Sequence, residues 1–187
     1  LSGRADYGSF NIQIISKRLQ GAPITLLGNY FKRYPLVILA QNGISSLDEL
    51  KGKRLMIDNQ ELQSPLIQHI FKNVGLIPEQ NITISPHTFT VTPFVNNEVD
   101  AMTAYLSNEP FHLDEQKKPY QILDFFALFP SLAEEFLFTS ENKSQINPKQ
   151  ARDFLEASNE GWKYALAHQD EIIELILKKY SNKKSRA

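Results

Sequence analysis

Residues 97–110 read Asn97-Glu98-Val99-Asp100-Ala101-Met102-Thr103-Ala104-Tyr105-Leu106-Ser107-Asn108-Glu109-Pro110, a polar connection followed by a short apolar run that opens into polar residues again. The first part has the character of a helix end and a turn. The run Ala101-Met102-Thr103-Ala104-Tyr105-Leu106 is short, largely apolar and strand-like. In open α/β sheets ligands sit beyond the carboxyl ends of strands, so Tyr105, Asn108 and Glu109 are candidate ligand contacts. A plain loop carrying a solvated Glu109 is the other reading of the same residues.

Outward from this stretch, strands and helices alternate. Upstream, a strand over residues 5–8 precedes a helix over residues 10–20, where Ile12, Ile15 and Leu19 recur at near-helical spacing and Gly21 is the stop. Strands follow at residues 23–27 and 34–40; Leu36, Val37, Ile38 and Leu39 form the unbroken apolar run of a strand buried on both faces. Residues 46–52 resemble one capped helical turn closed by Gly52, leading into a strand over residues 54–58 and a polar loop over residues 59–63. Ser64 before Pro65 fits an N-cap with proline at the first helical position, and Leu66, Ile70, Phe71 and Val74 line one face until Gly75. The free N–H groups and dipole of such a helix start suit a carboxylate, sulfonate or phosphate on a ligand; a helix capped only by its own Ser64 is the competing account.

Further strands are predicted at residues 82–85, 120–123 and 136–139, and a short helix or turn at 90–96. The chain closes with two helices: Asn147-Pro148 starts one bearing Ala151, Phe154, Leu155, Trp162, Ala165 and Leu166 at the 3.6 period, and Ile172, Ile173, Ile176, Leu177 and Tyr180 mark the other. The alternation, without repeats or low-complexity segments, predicts an α/β protein with largely parallel sheets.

Composition bounds the function. With 187 residues, 42% hydrophobic and 22% charged, the chain is an ordinary globular one with room for one sizeable core or two small ones. Its 20 basic and 21 acidic residues leave a net charge of -1, so nothing draws it globally to nucleic acid or anionic lipid. The absence of cysteine excludes disulfides, thiolate metal sites and a cysteine nucleophile. No apolar run approaches the roughly 20 residues that span a bilayer, and no signal peptide is visible. Residues 1–8 read like the interior of a domain, so sequence is expected upstream, and Lys178, Lys179, Lys183, Lys184 and Arg186 form a basic tail.

Catalytic patterns are missing: there is no Gly-x-Ser-x-Gly elbow, phosphate loop, dinucleotide glycine fingerprint or His-Glu-x-x-His. His69, His87, His112 and His168 are far apart in sequence and read as scattered surface residues, so no metal and no cofactor is expected. Glu98, Asp100 and Glu109 are given no catalytic role. Tyr7, Phe10, Tyr30, Phe31, Tyr34 and Tyr105 lie at or near predicted strand ends, where planar ligands are gripped, although any one of them also reads as core.

Gly3-Arg4-Ala5-Asp6-Tyr7-Gly8, Gly43-Ile44, Leu50-Lys51-Gly52-Lys53-Arg54-Leu55-Met56, the stretch over residues 97–110, Leu137-Phe138-Thr139-Ser140-Glu141 and Gly161-Trp162-Lys163-Tyr164-Ala165-Leu166 together resemble the periplasmic solute-binding domains related to thiamine-pyrimidine synthesis proteins. The wording is nearest to the sensor branch, in which the domain precedes a histidine kinase or diguanylate cyclase. The resemblance implies a type II periplasmic-binding-protein-like fold of two α/β lobes with ligand in the cleft. It places one incomplete, discontinuous lobe at residues 1–43 and 124–187 and the other at 44–123, with chain crossings near residues 40–43 and 124–128. Family members carry a further strand-helix-strand portion ahead of the position of Leu1, so the first lobe is expected either to borrow a strand in a homodimer or to be part of a longer domain. Where related sensors have a segment rich in tyrosine, glycine and aspartate, residues 125–135 here read Phe-Phe-Ala-Leu-Phe-Pro-Ser-Leu-Ala-Glu-Glu, so the relatives' ligand does not transfer.

The expected function is an extracytoplasmic, non-catalytic sensory domain that binds a small organic ligand, anionic or a planar heterocycle, and passes its closure to a membrane-anchored signalling module. The alternative is a free periplasmic solute-binding protein that delivers its ligand to the permease of an ABC importer. An enzyme like the family's pyrimidine-forming branch is disfavoured, since that branch carries a cysteine-rich motif. The candidate ligand contacts are Tyr7, Ser9, Asn29, Tyr34, Ser64, Tyr105, Asn108 and Glu109.

Overall fold

The computed structural model describes residues 3–125 and 129–180, and the chain divides into two compact units, Phe31–Glu134 and Leu1–Tyr30 with Glu135–Ala187. In the first-named unit the strands β3 (Leu36–Ala40), β4 (Arg54–Ile57), β5 (Thr83–Pro86), β6 (Ala101–Tyr105) and β7 (Gln121–Asp124) form a sheet of order β5-β4-β6-β3-β7. β4 runs parallel to β5 and β6, while β3 is antiparallel to both β6 and β7. All five residues of β3 are buried, as its unbroken apolar run requires. That run is silent on direction, and the sheets are mixed where largely parallel ones were expected.

Short helices cover this sheet. After β4 the stretch expected to be a polar loop forms α2 (Asn59–Leu62), because Asp58 caps it by accepting the Gln60 N–H at 2.8 Å. Ser64 caps α3 (Pro65–Asn73) by accepting the Ile67 N–H at 3.3 Å, and Ile67, Ile70 and Phe71 are buried beneath it. α4 (Thr92–Val95) inserts Phe94 into a core with Val37, Leu39, Met56, Met102 and Leu113. α5 (Glu109–Glu115) follows β6 directly, where only a polar strand end was foreseen. The connection ahead of β6 is fastened by Arg54, whose guanidinium donates to both carboxylate oxygens of Asp100, at 2.9 and 3.0 Å, and to the Asn97 carbonyl at 2.9 Å.

The other unit holds β1 (Tyr7–Phe10), β2 (Ile24–Phe31) and β8 (Glu134–Ser140) in the order β1-β8-β2, with β1 antiparallel to β8. α1 (Gln13–Leu19) lies between the first two strands in sequence; α6 (Glu141–Ile146), α7 (Pro148–Ala167) and α8 (Gln169–Lys179) follow β8. Ser140 caps α6, a helix the sequence did not announce, and Asn147 caps α7 as its Asn-Pro start suggested. The Tyr7 ring stacks on Phe154 at 4.0 Å with an interplanar angle of 7°.

Hydrogen bonding places β3 in the sheet with β4 to β7, and the compact units part at residues 30/31 and 134/135. The expected crossing at residues 124–128 and the divergent segment 125–135 lie partly, and Lys183, Lys184 and Arg186 wholly, outside the described residues.

Phe94 is 0% exposed and Phe89 74% exposed. We therefore expect Phe94→Ala to cost about 3–5 kcal/mol in urea denaturation and Phe89→Ala well under 1 kcal/mol. Equal losses would refute this placement of the core.

Candidate functional site

The directions of β4, β5, β6 and β7 bring four carboxyl ends to one edge of the unit Phe31–Glu134, and antiparallel β3 contributes its amino end there. Side chains leaving these ends converge without being neighbours in sequence. Thr103 on β6 is 1% exposed, and its hydroxyl donates to Glu61 Oε2 on α2 at 2.7 Å. The Thr103 carbonyl faces Nε2 of His87, which follows β5, at 2.9 Å. The Phe89 N–H donates to His87 Nδ1 at 2.8 Å, which assigns a proton to Nε2. Phe89 itself sits at φ 57°, a left-handed conformation uncommon outside glycine, with its ring outward.

Electrostatics follow from this crowding. Burial raises the Glu61 carboxyl above the usual carboxylate range; the Thr103 hydrogen bond and the His87 ring pull the other way. Burial also pushes up the Tyr34 phenol, helped by the charges of Glu134, Tyr105 and Glu61, which places Tyr34 within electrical reach of all three. Glu134 is buried, and Arg33 is ion-paired to Asp124 at the end of β7.

Of the residues singled out from sequence, Tyr34, Ser64, Tyr105, Asn108 and Glu109 lie in this unit and Tyr7, Ser9 and Asn29 in the other. Tyr105 is 42% exposed at the strand end. Glu109 is buried with both oxygens used inside the turn: Oε2 accepts the Tyr105 N–H at 2.8 Å and Oε1 the Asn108 side-chain amide at 2.6 Å. Glu109 and Asn108 thus shape the strand end. The Ser64 oxygen is likewise spent on its own helix. Tyr7 is the stacking partner of Phe154, Asn29 is exposed on β2, and Ser9 borders an apolar groove of about 540 Å³ lined by Tyr30, Leu137, Phe154 and Trp162.

Sequence reasoning missed Glu61, His87, Phe89 and Thr103. Glu61 lay in a stretch taken for a loop, and His87 was grouped with the scattered histidines, yet it is half-buried and tied at both ring nitrogens. A separate cavity of about 430 Å³ lies along α3, lined by Leu62, Phe71, Leu76 and Ile77 with Lys72 as its charged group; its walls lack the convergent polar groups of the strand ends. Among the described residues no three His, Cys, Asp or Glu side chains are placed to hold a metal ion, and no helix is long and apolar enough to cross a membrane.

Solved structures of periplasmic binding proteins share this fold. The periplasmic aliphatic sulphonate binding protein SsuA of Escherichia coli matches with a TM-score of 0.72 at 18% identity, over 94% of this chain and 61% of that one. SsuA of Xanthomonas axonopodis pv. citri, bound to MOPS, matches at 0.54 and 19% identity over 90% and 63% of the two chains. The chain belongs to the NMT1/THI5-like family, whose model matches residues 1–172. A Haemophilus influenzae protein whose name places it in thiamine biosynthesis is 23% identical over 167 residues, 87% of this chain and 52% of that protein. The chain spans about half the length of this curated relative.

The raised Glu61 carboxyl has a signed consequence. Because the folded state holds the proton more tightly than the unfolded chain, Glu61 favours folding below the ordinary glutamate range, and that contribution is lost as pH rises through its folded value. We expect Glu61→Gln to gain on the wild type in melting temperature as pH is raised from 4 toward 7; a constant difference would show that Glu61 is not shifted.

Proposed function

We propose that the chain is the small-molecule-binding part of a periplasmic solute-binding protein that serves an ABC importer, and that it holds its ligand without converting it. The observation that carries this reading is the Glu61–Thr103–His87 chain at the carboxyl ends of β4, β5 and β6, with the Tyr105 and Phe89 rings exposed beside it. Orientation-fixing polar groups next to apolar rings are what a small-molecule site requires. Tyr34 supports the wall from the amino end of β3, and Asn108 and Glu109 hold Tyr105 in place. Tyr7, Ser9 and Asn29, which lie in the other unit, are kept as proposed ligand contacts.

Family membership and the fold shared with binding proteins support import over the sensory role the sequence wording suggested. Both roles use the same binding chemistry, and they differ in the partner: a permease for the importer, a signalling module for the sensor. A homodimer is a further proposal with no support from the comparisons. Pyrimidine-forming chemistry is not adopted, because the groups at the strand ends are tied to one another as orienting groups.

Tyr105→Ala and Phe89→Ala are expected to weaken ligand binding about tenfold or more, measured by calorimetry on a ligand found by thermal-shift screening, while the melting temperature of the empty protein stays within about 2 °C. If both variants bind like wild type, the ligand sits elsewhere.

A further inference from the structure

The sulfonate-binding structures that share this fold invite a sulfonate here, but the hydrogen-bond directions at the strand ends run against it. The Thr103 hydroxyl spends its proton on Glu61, the proton assigned to His87 Nε2 is spent on the Thr103 carbonyl, and the Phe89 N–H is spent on His87 Nδ1. These donors are consumed inside the chain, and the group at its head is a carboxylate that still has lone pairs to fill. Arg33, a guanidinium at this edge, is held by Asp124. An anion placed here would meet acceptors and negative charge. A cation would meet a half-buried carboxylate whose desolvation is already part of the fold.

We infer that the ligand this wall accepts presents a protonated amine to Glu61 and lays an apolar or aromatic body against Phe89 and Tyr105. The inference rests on the ligand-binding reading above and narrows it to a charge class. Ammonium groups offer three donors and no acceptor, matching what the chain leaves open. The two exposed rings suit the body of such a ligand, since aromatic faces pack against apolar or aromatic surface.

The same geometry gives the inference a signature that a structural role would not produce. A bound ammonium favours the ionised carboxylate, so binding should release a proton and tighten as pH rises through the titration of Glu61; a bound sulfonate should show the opposite slope. The titratable groups around Glu61 are Asp58 on its own turn, His87 beyond β5 and Tyr34 ahead of β3, with Glu134 and Tyr105 acting on Tyr34.

The test titrates the full chain with 2-phenylethylamine and 2-phenylethanesulfonate, probes that share a body and differ in charge, between pH 4.5 and 7.5. The amine is expected to bind, more tightly at the higher pH. Glu61→Gln should weaken it roughly 10–100-fold at pH 7.5 and flatten the pH dependence, and Glu61→Asp should restore part of both. Preference for the sulfonate, or amine binding indifferent to Glu61→Gln, overturns the inference. If the sulfonate or another solute binds in a Tyr105-dependent way, the ligand-binding reading survives while the inference fails. Absence of binding by amines, sulfonates, carboxylates and pyrimidines alike defeats both.

Discussion

The register of β3 against β6 governs the candidate site. Leu36 opposes Tyr105 and Ala40 opposes Ala101, so the chain entering β3 emerges beside the chain leaving β6. Tyr34 and Tyr105 come to one edge for that reason alone. Each strand side chain alternates faces, so a slip of one residue would turn the buried Thr103 outward and strip Glu61 of its donor. The unbroken burial of β3 makes such a slip costly, because apolar side chains cover both of its faces. Packing energy in the sheet therefore sets the position of polar groups at its edge.

At the opposite end, β4 and β6 are paired over Leu55 with Ala101 and Met56 with Met102. So short a ladder is reinforced by the Arg54 fork on Asp100, which holds the carboxylate below its ordinary range through the guanidinium hydrogen bonds. The two halves of residues 97–110 thus do different work: one is tied to Arg54 where the strand begins, and the other is folded around Glu109 where it ends. The Asp100 and Glu109 carboxylates are both engaged in holding backbone geometry at the two ends of the strand.

Much of the fold was legible because the signals were local. An apolar run announced β3, Ser64-Pro65 announced the start of α3, and Asn147-Pro148 announced α7. Of the residues in the candidate site, Tyr105 and Tyr34 were named from the sequence. Glu61 was hidden because a four-residue helix has too few positions to show a period, and its cap, Asp58, reads equally well as a loop residue. His87 was hidden because its partner is a backbone carbonyl 16 residues away, brought near by pairing that no composition reveals. Strand direction was hidden for the same reason: burial on both faces looks alike in parallel and antiparallel strands. The Glu109 carboxylate was visible as a charge at a strand end, but which way it turned depended on the Tyr105 N–H.

The left-handed backbone at Phe89 also bears on how this protein can change over generations. A residue held there keeps the His87 ring oriented through its N–H whatever its side chain, and the conformation is cheapest for glycine, asparagine and aspartate. Neutral drift at this position is biased toward losing the exposed ring while the hydrogen-bond chain behind it survives. In the proposed site, the ring that would meet a ligand's body and the carboxylate that would meet its charge are in this way separately mutable, and a lineage could exchange the first while inheriting the second intact.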